Sequence, residues 1–164
     1  MPYYTDLALV FRALDGGQRE FDWILTNVDC IAFDRKALPR ELRPPTDKPA
    51  VYTGAALSDL VAERKIQFVW AVLSGFLPNE LPDPESLDPY PFADGNPGFW
   101  QPRPSIQHPR AVVEIVSFDS SATLLLSKRV ELSRRFRAFF SDAVDLDEYN
   151  ARRLGLAPFD SGET

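Results

Sequence analysis

Cysteine and histidine are almost missing from this 164-residue chain: each occurs once, as Cys30 and His108. A single cysteine excludes an internal disulfide framework and fits a reducing compartment. With one residue of each kind, a zinc site built from histidines and cysteines is excluded as well. His108, in "SIQHPRA", reads as an exposed loop histidine, because its sequence neighbours supply neither a nucleophile nor an orienting acid. Glycine-rich phosphate loops are absent, with no GxxxxGK[ST] and no GxGxxG, and "GNPGF" at 95–99 is a turn signal only. No apolar run approaches the roughly 20 residues of a membrane span. The start, "MPYYTDLALVF", lacks the basic n-region of a signal peptide and soon meets Asp6.

Basic charge is in short supply too. Eighteen Lys and Arg face 24 Asp and Glu, a net charge of −6. That balance opposes docking on phosphate backbones. The densest basic run, Arg134-Arg135-Phe136-Arg137, reads as the solvated face of a helix. The expectations are a soluble cytoplasmic protein with no metal, no cofactor, no nucleic-acid partner and no membrane partner.

What the chain has in excess is proline: 15 residues, of which nine fall within the 34 residues Leu77–Arg110. Proline removes a ladder donor and disfavours helix in the residue before it. This stretch is therefore neither a helix nor a central strand. Disordered segments are poor in aromatics, yet this one holds Tyr90, Phe92, Phe99 and Trp100. Much of it is expected to run extended across the domain. Its aromatics either pack back onto the core or contact a partner, and a lid over a catalytic group is the third option.

The remaining segments alternate between helix and strand signals. Leu7, Val10, Phe11 and Leu14 make one helical face after a cap at Thr5. "FDWILTNVDCIAFD" reads as two short strands around Asn27–Asp29, followed by a polar connection through Ala50. "TGAALSDLVAERK" is a helix capped by Thr53, and "IQFVWAVLSGF" is a central strand covered on both faces. "AVVEIVSFD" and "ATLLLSK" form a strand pair turning at Asp119-Ser120-Ser121. A helix follows from a cap at Ser127, with Leu132, Phe136, Phe139 and Phe140 on one side, and "DLDEYNARRLG" gives a last short helix. The pattern α-β-β-α-β-β-β-α-α predicts an α+β fold. Residues 1–156 read as one domain with a mixed or antiparallel sheet of about five strands, a proline-rich insert at 77–110, and a loose tail at 157–164.

Two residues stand out chemically. Cys30 reads as a small buried hydrophobe whose nearest sequence charge, Asp29, is negative. Glu114, within "AVVEIVSF", shares a strand face with Val112 and Val116. A carboxylate there is costly unless paired or protonated. Either the face is partly exposed, or a helix arginine satisfies it, or Glu114 is a functional carboxylate near Gln67.

The helix–strand layout, with "TGAALSDLVAE" entering a hydrophobic strand and "VVEIVSFDSSATLLLSK" entering a helix, resembles a family of small uncharacterised bacterial proteins, a domain of unknown function. That resemblance implies an α+β fold and no established activity. In size and acidity the chain also resembles immunity proteins that neutralise bacterial toxins. The leading expectation is a non-enzymatic module that binds another protein, such as a toxin domain. Its contact residues would be Asp83, Glu85, Asp88, Tyr90, Phe92, Asp94, Phe99 and Trp100. The alternatives are a small-molecule binder or carboxylate enzyme using Glu114, and a structural subunit that pairs with itself through a sheet edge.

Overall fold

The computed structural model describes residues 5–33, 37–44 and 47–156; the tail expected at 157–164 lies outside them. The elements are α1 (Leu7–Ala13), β1 (Asp22–Ala32), β2 (Ala50–Thr53), α2 (Gly54–Glu63), β3 (Ile66–Phe76), β4 (Val113–Phe118), β5 (Ala122–Ser127), α3 (Val130–Phe139) and α4 (Leu146–Arg153). The five strands form one antiparallel sheet in the order β2-β1-β3-β4-β5. The chain is a single α+β domain.

Two local corrections follow from backbone chemistry. The cap of α1 is Asp6 rather than Thr5: its carboxylate accepts from Ala8 N and Leu9 N, satisfying donors at the positive end of the helix. The cap of α3 is Arg129 rather than Ser127, whose hydroxyl instead accepts from Arg129 N one residue outside the helix. Thr53 caps α2 as expected, accepting from Ala56 N.

The segment expected to give two short strands is one continuous strand, β1. Its register against β3 shifts between Thr26 and Cys30, and Asn27 sits at a φ of 50°. Such an irregularity inserts an extra step and resets which face each side chain takes. Trp23 and Leu25 before it, and Val28 and Cys30 after it, all belong to the same core cluster. The strict alternation that marks a strand is thereby broken in the sequence. The second strand of the predicted order is β2, which lies at the end of what read as a polar connection.

The sheet is covered on both faces. Leu7, Val10, Phe11 and Leu14 from α1 and its end, Leu57 and Val61 from α2, and Leu132 from α3 pack on Trp23, Leu25, Leu73, Val113 and Ile115. Gly54 opens α2 where the Gly17–Glu20 turn comes closest. A Cβ there would stand 2.5 Å from Gln18 O and 2.7 Å from Phe21 O, so only glycine fits. Phe139, expected on the buried side of α3, is 43% exposed under the Arg12 guanidinium, while Phe136 and Phe140 pack against the core.

The opposite face is covered by the proline-rich segment, a strap running from Leu77 to Arg110. Ala93 and Phe99 pack with Val72, Val116, Leu124 and Leu126, and Trp100 and Ile106 border them. Nearer its ends, Leu81, Leu87 and Ile106 pack on Ile24, Phe76 and Ala111. The strap thus forms the second covering layer of the sheet.

Candidate functional site

The strap is fixed by side chains that reach it from the sheet and from α4. Thr26 Oγ1 donates to Pro91 O at 2.7 Å. Asn27 Oδ1 accepts from Ala93 N at 2.7 Å and Asp94 N at 2.8 Å. The irregularity in β1 thus holds the amide that caps the strap. Asn150, fully buried on α4, donates to Phe99 O and Gln101 O. Asp147 accepts from Arg103 N, and Arg110 donates to Glu80 O. None of these clamps is visible in the sequence, since each joins positions far apart along the chain.

Held in this way, the strap sorts its residues by side. Across the extended stretch after Pro89, Pro91 and Ala93 are buried whereas Tyr90, Phe92 and Asp94 are exposed, the alternation of an extended chain on a surface. Tyr90 and Phe92 are 41% and 42% exposed, unusual for aromatics. Asp83, Glu85 and Asp88 are exposed on the same segment. Asp83 closes the short turn Pro84–Ser86 by accepting from Glu85 N and Ser86 Oγ. Glu85 pairs with Lys48 at 3.7 Å, an exposed contact of little energy.

Phe99 and Trp100 leave the set of partner residues. Phe99 is 2% exposed and edge-on to Phe118. Trp100 is half-buried between Phe118, at 4.9 Å, and Tyr149, at 6.1 Å. Their apolar area goes into covering the sheet, so they anchor the strap from beneath.

The charge distribution is equally uneven. Residues 77–102 contain five acids (Glu80, Asp83, Glu85, Asp88 and Asp94) and no Lys or Arg. The rest of the chain holds 19 acids against 18 bases and is close to neutral. Nearly all of the net negative charge therefore lies in residues 77–102, the part of the strap that carries two outward aromatic rings, while Arg103 and Arg110 beyond it bring the strap as a whole to −3.

Beneath the strap, Glu114 is fully buried on β4 opposite Ser74 of β3 and Leu126 of β5. Its expected neighbour Gln67 lies seven residues away along β3, paired with Ile31 and donating to Phe68 O. Among the described residues no helix arginine satisfies it. Gln107 of the strap does, through its backbone N at 3.1 Å and Nε2 at 3.4 Å. Burial pushes the carboxyl up to about 7, partly opposed by those two hydrogen bonds. Val112 precedes β4 and packs with the helix-side cluster instead of beside Glu114.

His108 is not exposed: it is buried, edge-on to Phe76 at 5.2 Å. Its Nδ1 accepts from Arg110 N at 3.3 Å, and its pKa is lowered by burial, then by Arg110 and Lys128. Ser74 Oγ, across the ladder from Glu114, has no hydrogen-bond partner among the described residues. Cys30 is buried as expected, its thiol pushed up to about 12 by burial and then by Asp29, which removes thiolate reactivity. Among the described residues no group of three His, Cys, Asp or Glu could hold a metal, and no helix is long and apolar enough to cross a membrane.

A groove of about 1150 Å³ runs along β5, lined by Leu124, Phe136, Phe140 and Tyr149 and, from the strap, by Trp100 and Ile106. It is bordered by Asp142, Asp145 and Asp147 as well as Lys128, Arg134 and Arg137. Two of those acids are already committed, Asp145 to capping α4 and Asp147 to Arg103 N. Set beside known proteins, the chain matches no family model, no curated protein and no solved structure.

Proposed function

We propose that this protein is a non-enzymatic binding module that recognises a basic protein through the outer side of the strap, in the manner of a cytoplasmic immunity protein that neutralises a toxin. The observation that supports this reading is the division of the strap. One side completes the core, and the other presents Asp83, Glu85, Asp88 and Asp94 around the exposed rings of Tyr90 and Phe92. A patch carrying one sign of charge speeds encounter with an oppositely charged partner. Exposed aromatics then give affinity when they enter a pocket on that partner. Because the strap is already ordered, binding incurs little further loss of chain entropy.

The test is a photo-crosslinking residue at position 92, compared with one at Val51 on edge strand β2, which is 43% exposed. A basic protein is expected to be captured from position 92 in the cell of origin and not from position 51. The adduct should vanish when Asp88 and Asp94 are both replaced by lysine. Equal adducts from both positions, or none from 92, would count against the proposal. Self-pairing through β5 is the competing reading, favoured by that strand's one-sided pairing among the described residues. It requires a dimer in solution, and a monomeric mass would remove it.

A further inference from the structure

One hydrogen-bond relay links the outer side of the strap to the middle of the sheet. Gln107 Oε1 accepts from Phe92 N at 3.0 Å and Asn96 Nδ2 at 3.1 Å, while Gln107 Nε2 donates to Phe92 O at 3.1 Å. The same residue donates to both oxygens of Glu114. Asn27 holds the segment 92–96 at Ala93 and Asp94, and Gln107 ties its two ends, Phe92 and Asn96, to one buried carboxyl group. We propose that Glu114 is the positioning residue of the docking face: Gln107 ties the Phe92 end of the segment 92–96 to it, and the strap lies down over the neutral acid and lifts when the acid ionises and takes up water. The functional meaning rests on the docking reading above, whereas the latch is a property of the fold.

An ionised carboxylate under the strap has lost its water, and two donors from Gln107 offset only part of that loss. Lifting the strap rehydrates it, so ionisation favours the lifted arrangement. Of the elements packed around Glu114, β3 brings Ser74 and β5 brings Leu126, neither of them titratable. The strap adds His108 and Arg110, and Lys128 follows β5. Burial, then Arg110 and Lys128, hold His108 below its ordinary range. Burial moves Glu114 the other way, up to about 7, so its charge changes within the neutral range. Its proton is held more tightly with the strap down than with it lifted. Raising pH from about 4.5 to about 7 therefore weakens the latch, and above that range no further loss follows.

The measurement is the amide-exchange protection of Phe92 in the full chain, corrected for intrinsic exchange, at pH 6 and 8.5. Protection is expected to fall roughly tenfold over that interval in the native protein and to stay level in Glu114→Gln. Gln107→Leu cuts the relay while leaving the acid in place, so protection should be low at both pH values. A level native profile, or a native slope retained in Glu114→Gln, would overturn the latch. Should Glu114→Gln not fold, native protection in Gln107→Leu would overturn it instead. The readout contains no partner: failure here leaves the docking reading standing, and a failed crosslink from position 92 leaves the latch standing.

Discussion

Replacing Pro82–Pro102 by a short flexible linker is expected to unfold the domain. The excised piece supplies Ala93 and Phe99, both buried against Val72, Val116, Leu124 and Leu126. It also carries Pro91 O and Phe99 O, which receive Thr26 and Asn150. Without it, a sheet face built from apolar residues meets water, and Thr26, Asn27 and Asn150 lose their partners. Phe99→Ala alone should cost about 3–5 kcal/mol. A domain of this size has roughly 5–15 kcal/mol in total, so removing the whole layer exceeds what is available. Urea unfolding followed by circular dichroism checks both variants. A cooperative transition at the native midpoint in the excised protein would show that the strap is an accessory rather than a layer of the core.

Glu114→Gln is expected to change how stability depends on pH. The carboxyl titrates at about 7 in the folded protein and at the ordinary 4.5 when unfolded. Between those values the folded state binds more protons, so the stability contributed by neutral Glu114 is complete below pH 4.5. It is lost progressively as pH rises to about 7. The full difference is roughly 3 kcal/mol as an order of magnitude. Glutamine does not titrate, so the variant should gain on the native protein by about that amount between pH 4.5 and pH 8. Taking the difference between the two proteins cancels the other carboxylates. A difference that is constant with pH, or one that grows the other way, would show that Glu114 is better solvated than its complete burial implies.

Much of the scaffold was legible because its signals are local. Thr53 before a helical apolar face gave α2, and the run of apolar residues from Ile66 to Phe76 gave the central strand. The parts that were not legible depend on contacts distant in sequence. Asn27 reads as a turn residue, and only its bonds to Ala93 and Asp94 show that it interrupts a strand in order to hold the strap. His108 lies in a proline-flanked loop, and its burial comes from Phe76 of another element. Within the candidate site, composition singled out the segment, and four acids with Tyr90 and Phe92 are exposed on it. Composition could not separate those rings from Phe99 and Trp100, because the side each residue takes is decided by where the sheet and α4 grip the backbone. Gln107 carried no signal of its own, since an amide in a proline-rich loop acquires its role only from the carboxyl group folded beneath it.

The central claim is that one side of the strap builds the core and the other binds. Its most direct test measures affinity and melting temperature on the same variants, using the partner captured from position 92. Phe92→Ala is expected to weaken binding about 30-fold, the loss of one hot-spot ring, with a melting temperature close to native because that side chain is already exposed. Asp88→Lys combined with Asp94→Lys should slow association most strongly at low salt. Native affinity in Phe92→Ala and in the double lysine variant, with the fold intact in both, would contradict the account.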